Sequence, residues 1–159
     1  MSQTTDAAAV RIFPPVIPLI TILLGVGLDK LFPLDLGITI PAPARYWLGG
    51  AIVLAALLGL GAWSVLLLRQ DGQSENPWKP TLRIIDKGPF RFTRNPMYLQ
   101  MVIVCAGVAI ALTNGWVLLL TPVCGWLLHV LAILPEEAYL TAKFGDDYRA
   151  YQQRTRRWL

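Results

Sequence analysis

The stretch Gly88–Gln100, GPFRFTRNPMYLQ, sets two arginines, an Asn-Pro pair and a tyrosine against the start of a long apolar run. Asn95 precedes a proline and is pushed towards an extended conformation, so a helix is expected to begin at Pro96. The first N–H groups of that helix lack intrahelical partners and carry its positive dipole end beside Arg91 and Arg94. Such a combination suits a carboxylate or a phosphate. A second polar cluster, Pro135-Glu136-Glu137, closes the far end of the same apolar stretch. If the stretch folds as a hairpin, both clusters return to one end of it and form a site.

Each of these residue types also has a plainer use. Arginines in short connections set membrane topology or reach lipid headgroups, and acidic residues after a proline offset a helix dipole. Adjacent carboxylates nevertheless point to different sides of a helix, so one of Glu136 and Glu137 can face the bundle. His129 lies seven residues before Glu136, close to the same helical face, and is the single histidine in the chain. Beyond Glu137, the residues Leu140, Phe144, Tyr148 and Tyr151 recur at helical spacing and give one apolar-aromatic face. They predict an amphipathic helix that either anchors at the interface or covers the polar clusters, with Gly145 weakening it. Arginines for an anion, carboxylates for a cation or ribose, and tyrosines for a base are the complements of S-adenosylmethionine.

Composition says which elements position these groups. Of 159 residues, 55% are hydrophobic and 15% charged, against roughly 25% charged in soluble domains, and the mean hydropathy is +0.51. The sequence therefore predicts an all-α, polytopic membrane bundle: a single domain over 1–159 with about four spans near 12–34, 47–68, 96–112 and 116–134, and an interfacial helix near 136–153. Ala51, Ala55 and Gly59 make 47–68 the expected central helix, approached closely by a neighbour. Pro14, Pro15 and Pro18 delay or kink the first span. Thr113-Asn114-Gly115 is the expected hairpin turn.

Lys and Arg concentrate between Arg69 and Arg94 and in the tail, at Lys143, Arg149, Arg154, Arg156 and Arg157, which predicts both termini in the cytoplasm. The net charge of +4 is then topology and headgroup attraction, with no basic-aromatic face for nucleic acid. Cys105 and Cys124 fall at similar depth on a hairpin and read as buried apolar thiols. One histidine and two separated cysteines close no metal site.

The order of Arg94-Asn95-Pro96-Met97-Tyr98, a helical hairpin, and Glu136-Glu137 followed by Leu140, Phe144-Gly145, Tyr148 and Tyr151 resembles the isoprenylcysteine carboxyl methyltransferase and phospholipid methyltransferase superfamily. The resemblance covers roughly Asn76 to Leu159, and the first two spans match by hydropathy alone. Asn95 stands where the eukaryotic motif has histidine, and Gln100 where many members have glycine. The resemblance implies an S-adenosylmethionine pocket on the cytoplasmic side of a bacterial inner membrane and a lipophilic acceptor entering from the bilayer. It assigns cofactor binding to Arg94, Asn95, Pro96, Tyr98, Glu136 and Glu137, with His129 lining the site. Arg91, Leu99 and Tyr148 join them as cofactor-binding candidates, and Arg94, Glu137 and His129 are the candidates for catalysis. Two other classes remain open: a sterol-reductase-like enzyme using NADPH, and a small membrane protein without activity.

Overall fold

The computed structural model describes residues 6–37 and 40–159, so the first five residues of the expected single domain lie outside the described residues. Helix α1 runs Val16–Leu31, α2 Ala44–Gln70, α3 Pro96–Leu112, α4 Gly115–Phe144 and α5 Asp146–Arg154. Among the described residues there is no strand, only an isolated bridge between Thr93 and Arg156. The all-helical expectation therefore stands.

Two helices, α2 with 27 residues and α4 with 30, are long and apolar enough to cross a membrane. At ~1.5 Å per residue each exceeds the ~30 Å hydrocarbon core. Helices α1 and α3, with 16 and 17 residues, are shorter.

Helix α3 is the hub, packed against α1, α2 and α4, while α1 also packs along α4. The expectation of a central 47–68 helix is thus corrected: α2 lies on the outside, with Trp47 78% exposed. Its register differs from the one its small residues suggested. Ala51, Ala55 and Gly59 face outwards, and the close approach uses Gly49, whose Cβ, if present, would lie 2.5 Å from the Gly107 carbonyl oxygen of α3. Gly107 and Ala111 on α3 offer the matching flat surface.

Three further boundaries move. The first helix starts at Val16 and ends at Leu31, short of the expected 12–34, because Pro15 caps it and Pro18 falls within the first turn, where the missing N–H costs nothing. The second helix begins at Ala44 and extends to Gln70. The fourth does not stop at 134, and no separate helix covers 136–153. Instead α4 runs through Pro135 to Phe144. A proline inside a helix presses on the carbonyl four residues earlier, here Leu131, and that residue sits in a π-helical turn, His129–Ile133, which widens the helix at that point. The true break is Gly145, at φ 54° and ψ −120°, a conformation open to glycine and strained for other residues. It turns α5 back across the end of the bundle. The hairpin turn itself forms as expected, with Thr113 left-handed and the Asn114 side chain accepting a bond from the Val117 N–H at 2.8 Å. Cys105 and Cys124 are free, buried members of one core cluster.

A packing prediction follows from the α2–α3 contact. Gly49→Ala forces the helices apart and should cost about 1–3 kcal/mol through overpacking. Gly59→Ala, which meets nothing within 4 Å, should be neutral or gain up to about 1 kcal/mol from helix propensity. Unfolding titrations in mixed micelles measure both, and equal effects at the two glycines would contradict this register.

Candidate active site

Among the described residues the ion pairs gather at one end of the bundle. The connection between α2 and α3, the C-terminal part of α4, α5, the tail and the segment before α1 meet there. Tight side-chain bonding holds them together. Arg94, just before α3, donates to Glu137 Oε1 of α4 from Nη2 at 2.9 Å and from Nε at 3.3 Å. Its Nη1 donates to the backbone carbonyls of Gln152, at 3.2 Å, and Thr155. Arg157 of the tail grips the same carboxylate, with Nη2 to Oε2 at 2.8 Å and Nε to Oε1 at 3.1 Å. The Arg94 and Glu137 side chains are each only 8% exposed.

The tail is further stitched to the segment before α3. The Arg94 N–H donates to the Arg156 carbonyl at 2.9 Å. Asn95 Nδ2 and Thr93 Oγ1 both donate to the Arg157 carbonyl, at 3.0 and 3.1 Å, and Tyr151 donates its hydroxyl proton to the Phe90 carbonyl at 2.6 Å. Burial pushes the Tyr151 hydroxyl well above the usual phenol range, so it remains a donor. Burial, and next the Glu137 charge, raise the Tyr148 hydroxyl in the same direction.

Beside this knot opens a recess, reached by Arg94, Asn95, Glu136, Glu137, Leu140, Tyr148 and Tyr151. The structure thus brings together five of the sequence-derived candidates: Arg94, Asn95, Glu136, Glu137 and Tyr148. Tyr98 stands behind them, donating its hydroxyl to Glu136 Oε2 at 2.7 Å. Pro96 and Leu99 are buried in α3, outside the recess lining, and Arg91 is exposed on a short 3-10 turn, Gly88–Arg91. His129 lines a different depression, together with Val102, Gly125, Trp126, Arg157 and Trp158.

The outer wall of the recess was not visible in the sequence. Gln73, Ser74, Glu75 and Asn76 from the α2–α3 connection, Ala8 from the segment before α1, and Tyr139 of α4 all line it. Buried Gln73 shapes that connection, donating to Asp71 and the Arg83 carbonyl and accepting from the Leu82 N–H, each at 3.0 Å. The N-terminal segment is pinned over it: Trp78 Nε1 donates to the Val10 carbonyl at 2.8 Å, and Lys143 donates to Asp6 at 2.7 Å. The Lys143 ammonium, and then the Tyr139 hydroxyl, hold the Asp6 carboxyl below its ordinary value. Aperiodic segments like these carry no pattern from which a wall could be read. Tyr139 alone left a signal, three residues after Glu136 and so on its helical face.

The fold and the site define an all-helical, largely apolar bundle with a recess at one end, walled by charged side chains and tyrosines. Residues 42–147, two thirds of the chain, match the phospholipid methyltransferase family model, and the chain belongs to that family of membrane methyltransferases. An uncharacterized protein of Haemophilus influenzae is 36% identical over 63 residues, which cover 40% of this chain and the whole of that protein. No solved structure matches the chain.

Stability should report the buried pair directly. Removing one partner leaves an uncompensated buried charge, so Glu137→Gln should cost about 3–5 kcal/mol. Asp146→Asn, which breaks an exposed pair with Arg149, should cost under about 1 kcal/mol. Thermal or denaturant unfolding in detergent compares them, and a Glu137 variant no weaker than the Asp146 variant would contradict the account.

Proposed function

We propose that the chain is an S-adenosylmethionine-dependent methyltransferase acting at the membrane on a lipophilic acceptor, in the manner of the isoprenylcysteine carboxyl methyltransferase branch of the superfamily. The supporting observation is the recess that carries Glu136, Glu137, Arg94, Asn95 and Tyr148 together, the first four of which the family resemblance assigns to the cofactor. Its donor set fits the group. Glu136 offers a carboxylate to a cationic centre, Asn76 and Ser74 offer uncharged donors, and Tyr139 and Tyr148 offer aromatic faces. The cofactor supplies an electrophilic methyl group when bound.

In this reading Arg94 is a positioning residue. Its donors are occupied by Glu137 and by the tail, so it fixes the wall of the recess and orients the carboxylate. Tyr98 holds Glu136 in place through the 2.7 Å bond, a supporting contact of the kind that sets a binding group's angle. The connection Asp71–Lys87 and the N-terminal segment wall the recess on its outer side. Alignment of acceptor and methyl group, worth up to ~7–11 kcal/mol in well-oriented reactions, is then the main contribution of the protein.

The same reading makes residues 1–159 one unit with four spans, α1 and α3 crossing a locally thinned bilayer beside α2 and α4. The recess end and both termini face the cytoplasm of a bacterial inner membrane, supported by the shared position of the basic connection and the tail, which the Thr93–Arg156 bridge joins.

Cofactor binding is the test. S-adenosylhomocysteine at a hundred times its Kd should stabilise the detergent-solubilised protein by about 2.7 kcal/mol, and NADPH should not. Glu136→Gln should weaken the binding about 10- to 150-fold, the loss expected of a hydrogen bond to a charged group. Stabilisation by NADPH instead, or by neither compound, would remove the proposal.

A further inference from the structure

The wall of the recess is held unevenly. Three of its sides rest on buried polar contacts. Glu137 lies between two guanidinium groups, Glu136 takes the Tyr98 hydroxyl, and the connection after α2 hangs on the three bonds of buried Gln73. The segment before α1 is different. Among the described residues, 6–12 make no backbone–backbone hydrogen bond. This strap is held by side chains and by two small apolar anchors, Ala8 and Val10, which are buried against the core. Ala8 also lines the recess.

Two attachments fix the strap. At its start, Asp6 accepts from Lys143 Nζ at 2.7 and 2.9 Å and from the Tyr139 hydroxyl at 3.0 Å. Tyr139 in turn accepts the Thr81 N–H at 3.2 Å, so its hydroxyl is the point where strap, connection and α4 meet. Towards its end, Trp78 Nε1 donates to the Val10 carbonyl at 2.8 Å, and the Trp78 ring lies 6.0 Å from that of Phe13. The Asp6–Lys143 pair is open to water, with 58% of the Asp6 side chain exposed. An exposed pair shifts an equilibrium by no more than about fivefold, whereas breaking a buried one such as Arg94–Glu137 costs far more. Segments with exposed contacts and few backbone bonds are the first to open. Pro14 and Pro15 stiffen the entry to α1, which confines such motion to the residues before them.

We propose that Asp6–Phe13 is the gate of the recess: the strap lifts at the latch of Asp6, Lys143 and Tyr139 to admit a ligand, and its return brings Ala8 back over it. The ligand's identity as S-adenosylmethionine rests on the methyltransferase reading above, while the gate rests on the strap alone. A latch of this kind governs how fast a ligand exchanges more than how tightly it binds. Weakening it raises the open fraction and speeds entry, and it speeds exit by a similar factor because the same contacts must break with the ligand inside.

The test is thiol labelling by a water-soluble maleimide of the full chain carrying Val10→Cys, in a neutral detergent. Position 10 is 6% exposed, and Cys105 and Cys124 are fully buried, so label at position 10 reports the strap and label at the other two reports the bundle. Asp6→Asn keeps an oxygen for Tyr139 and removes the charge. It should speed labelling at position 10 about two- to fivefold, and Lys143→Gln should do the same. Raising the salt from about 0.05 M to about 1 M should speed labelling by a similar factor in the parent and have little effect beside Asp6→Asn. Association and dissociation of S-adenosylhomocysteine should both quicken in the Asp6→Asn variant, leaving its Kd within about twofold. Unchanged labelling at position 10 in both latch variants, or label entering Cys105 and Cys124 in step with it, would overturn the proposal. So would faster dissociation with unchanged association, the mark of a lost contact. If labelling responds as stated and S-adenosylhomocysteine does not bind, the gate stands and the methyltransferase reading falls.

Discussion

The carboxylate of Glu137, almost wholly buried between Arg94 and Arg157, is the contact on which the organisation of this end of the protein rests. A charge so placed is costly unless it is paired from the start. The pairing joins three segments: the entry to α3, the C-terminal half of α4 and the tail. Once they are joined, the tail lies along residues 93–95, α5 folds over the bundle end, and Tyr148 and Tyr151 are carried to the recess. The salt bridge contributes little net stability against an apolar alternative. Its effect is to exclude arrangements in which the tail hangs free.

Position along the helices explains why the recess forms at this end and not the other. The two arginine-rich segments can meet because the α3–α4 hairpin reverses at Thr113-Asn114, leaving Arg94 and Glu137 at the same level. The π-helical turn His129–Ile133 acts on the same geometry. By absorbing Pro135, it lets α4 continue without a break, and the extra width resets the facing of every residue beyond it. Glu136 and Glu137, neighbours on the helix, point apart, and this facing sends one to Tyr98 and the recess and the other to the guanidinium pair. His129 is turned away from both.

Much of this was legible in the sequence where a residue type had one physical outlet. Pro96 could only begin a helix, Thr113-Asn114-Gly115 could only turn the hairpin, and adjacent glutamates had to diverge. Charges flanking an apolar hairpin had to meet at its open end. The register of α2 was not legible, because both Gly49 and the Ala51-Ala55-Gly59 row are small enough for a close approach. The choice belongs to Gly107 and Ala111 on the opposing helix. Nor was the facing of His129, since a seven-residue spacing from Glu136 predicts a shared face only in an unbroken α-helix and the π turn lies between them. The walls contributed by Ala8 and residues 73–76 depend on hydrogen bonds of Gln73 and Trp78 to distant backbone, which no local pattern encodes. Arg157 illustrates the same limit: one basic residue among several in the tail, it gains its role only from the carboxylate that it finds.

The central claim is that the adenosyl cofactor occupies the recess beside Glu136 and Tyr148. Photolabelling with an azido-adenosyl derivative of S-adenosylmethionine, followed by peptide mapping, tests it most directly. The account predicts label on residues 73–85 and on the 139–151 segment, suppressed by excess S-adenosylhomocysteine. Competable label at the opposite end of the bundle, around Leu34 to Leu36 or Thr113, or an absence of competable label, would contradict it.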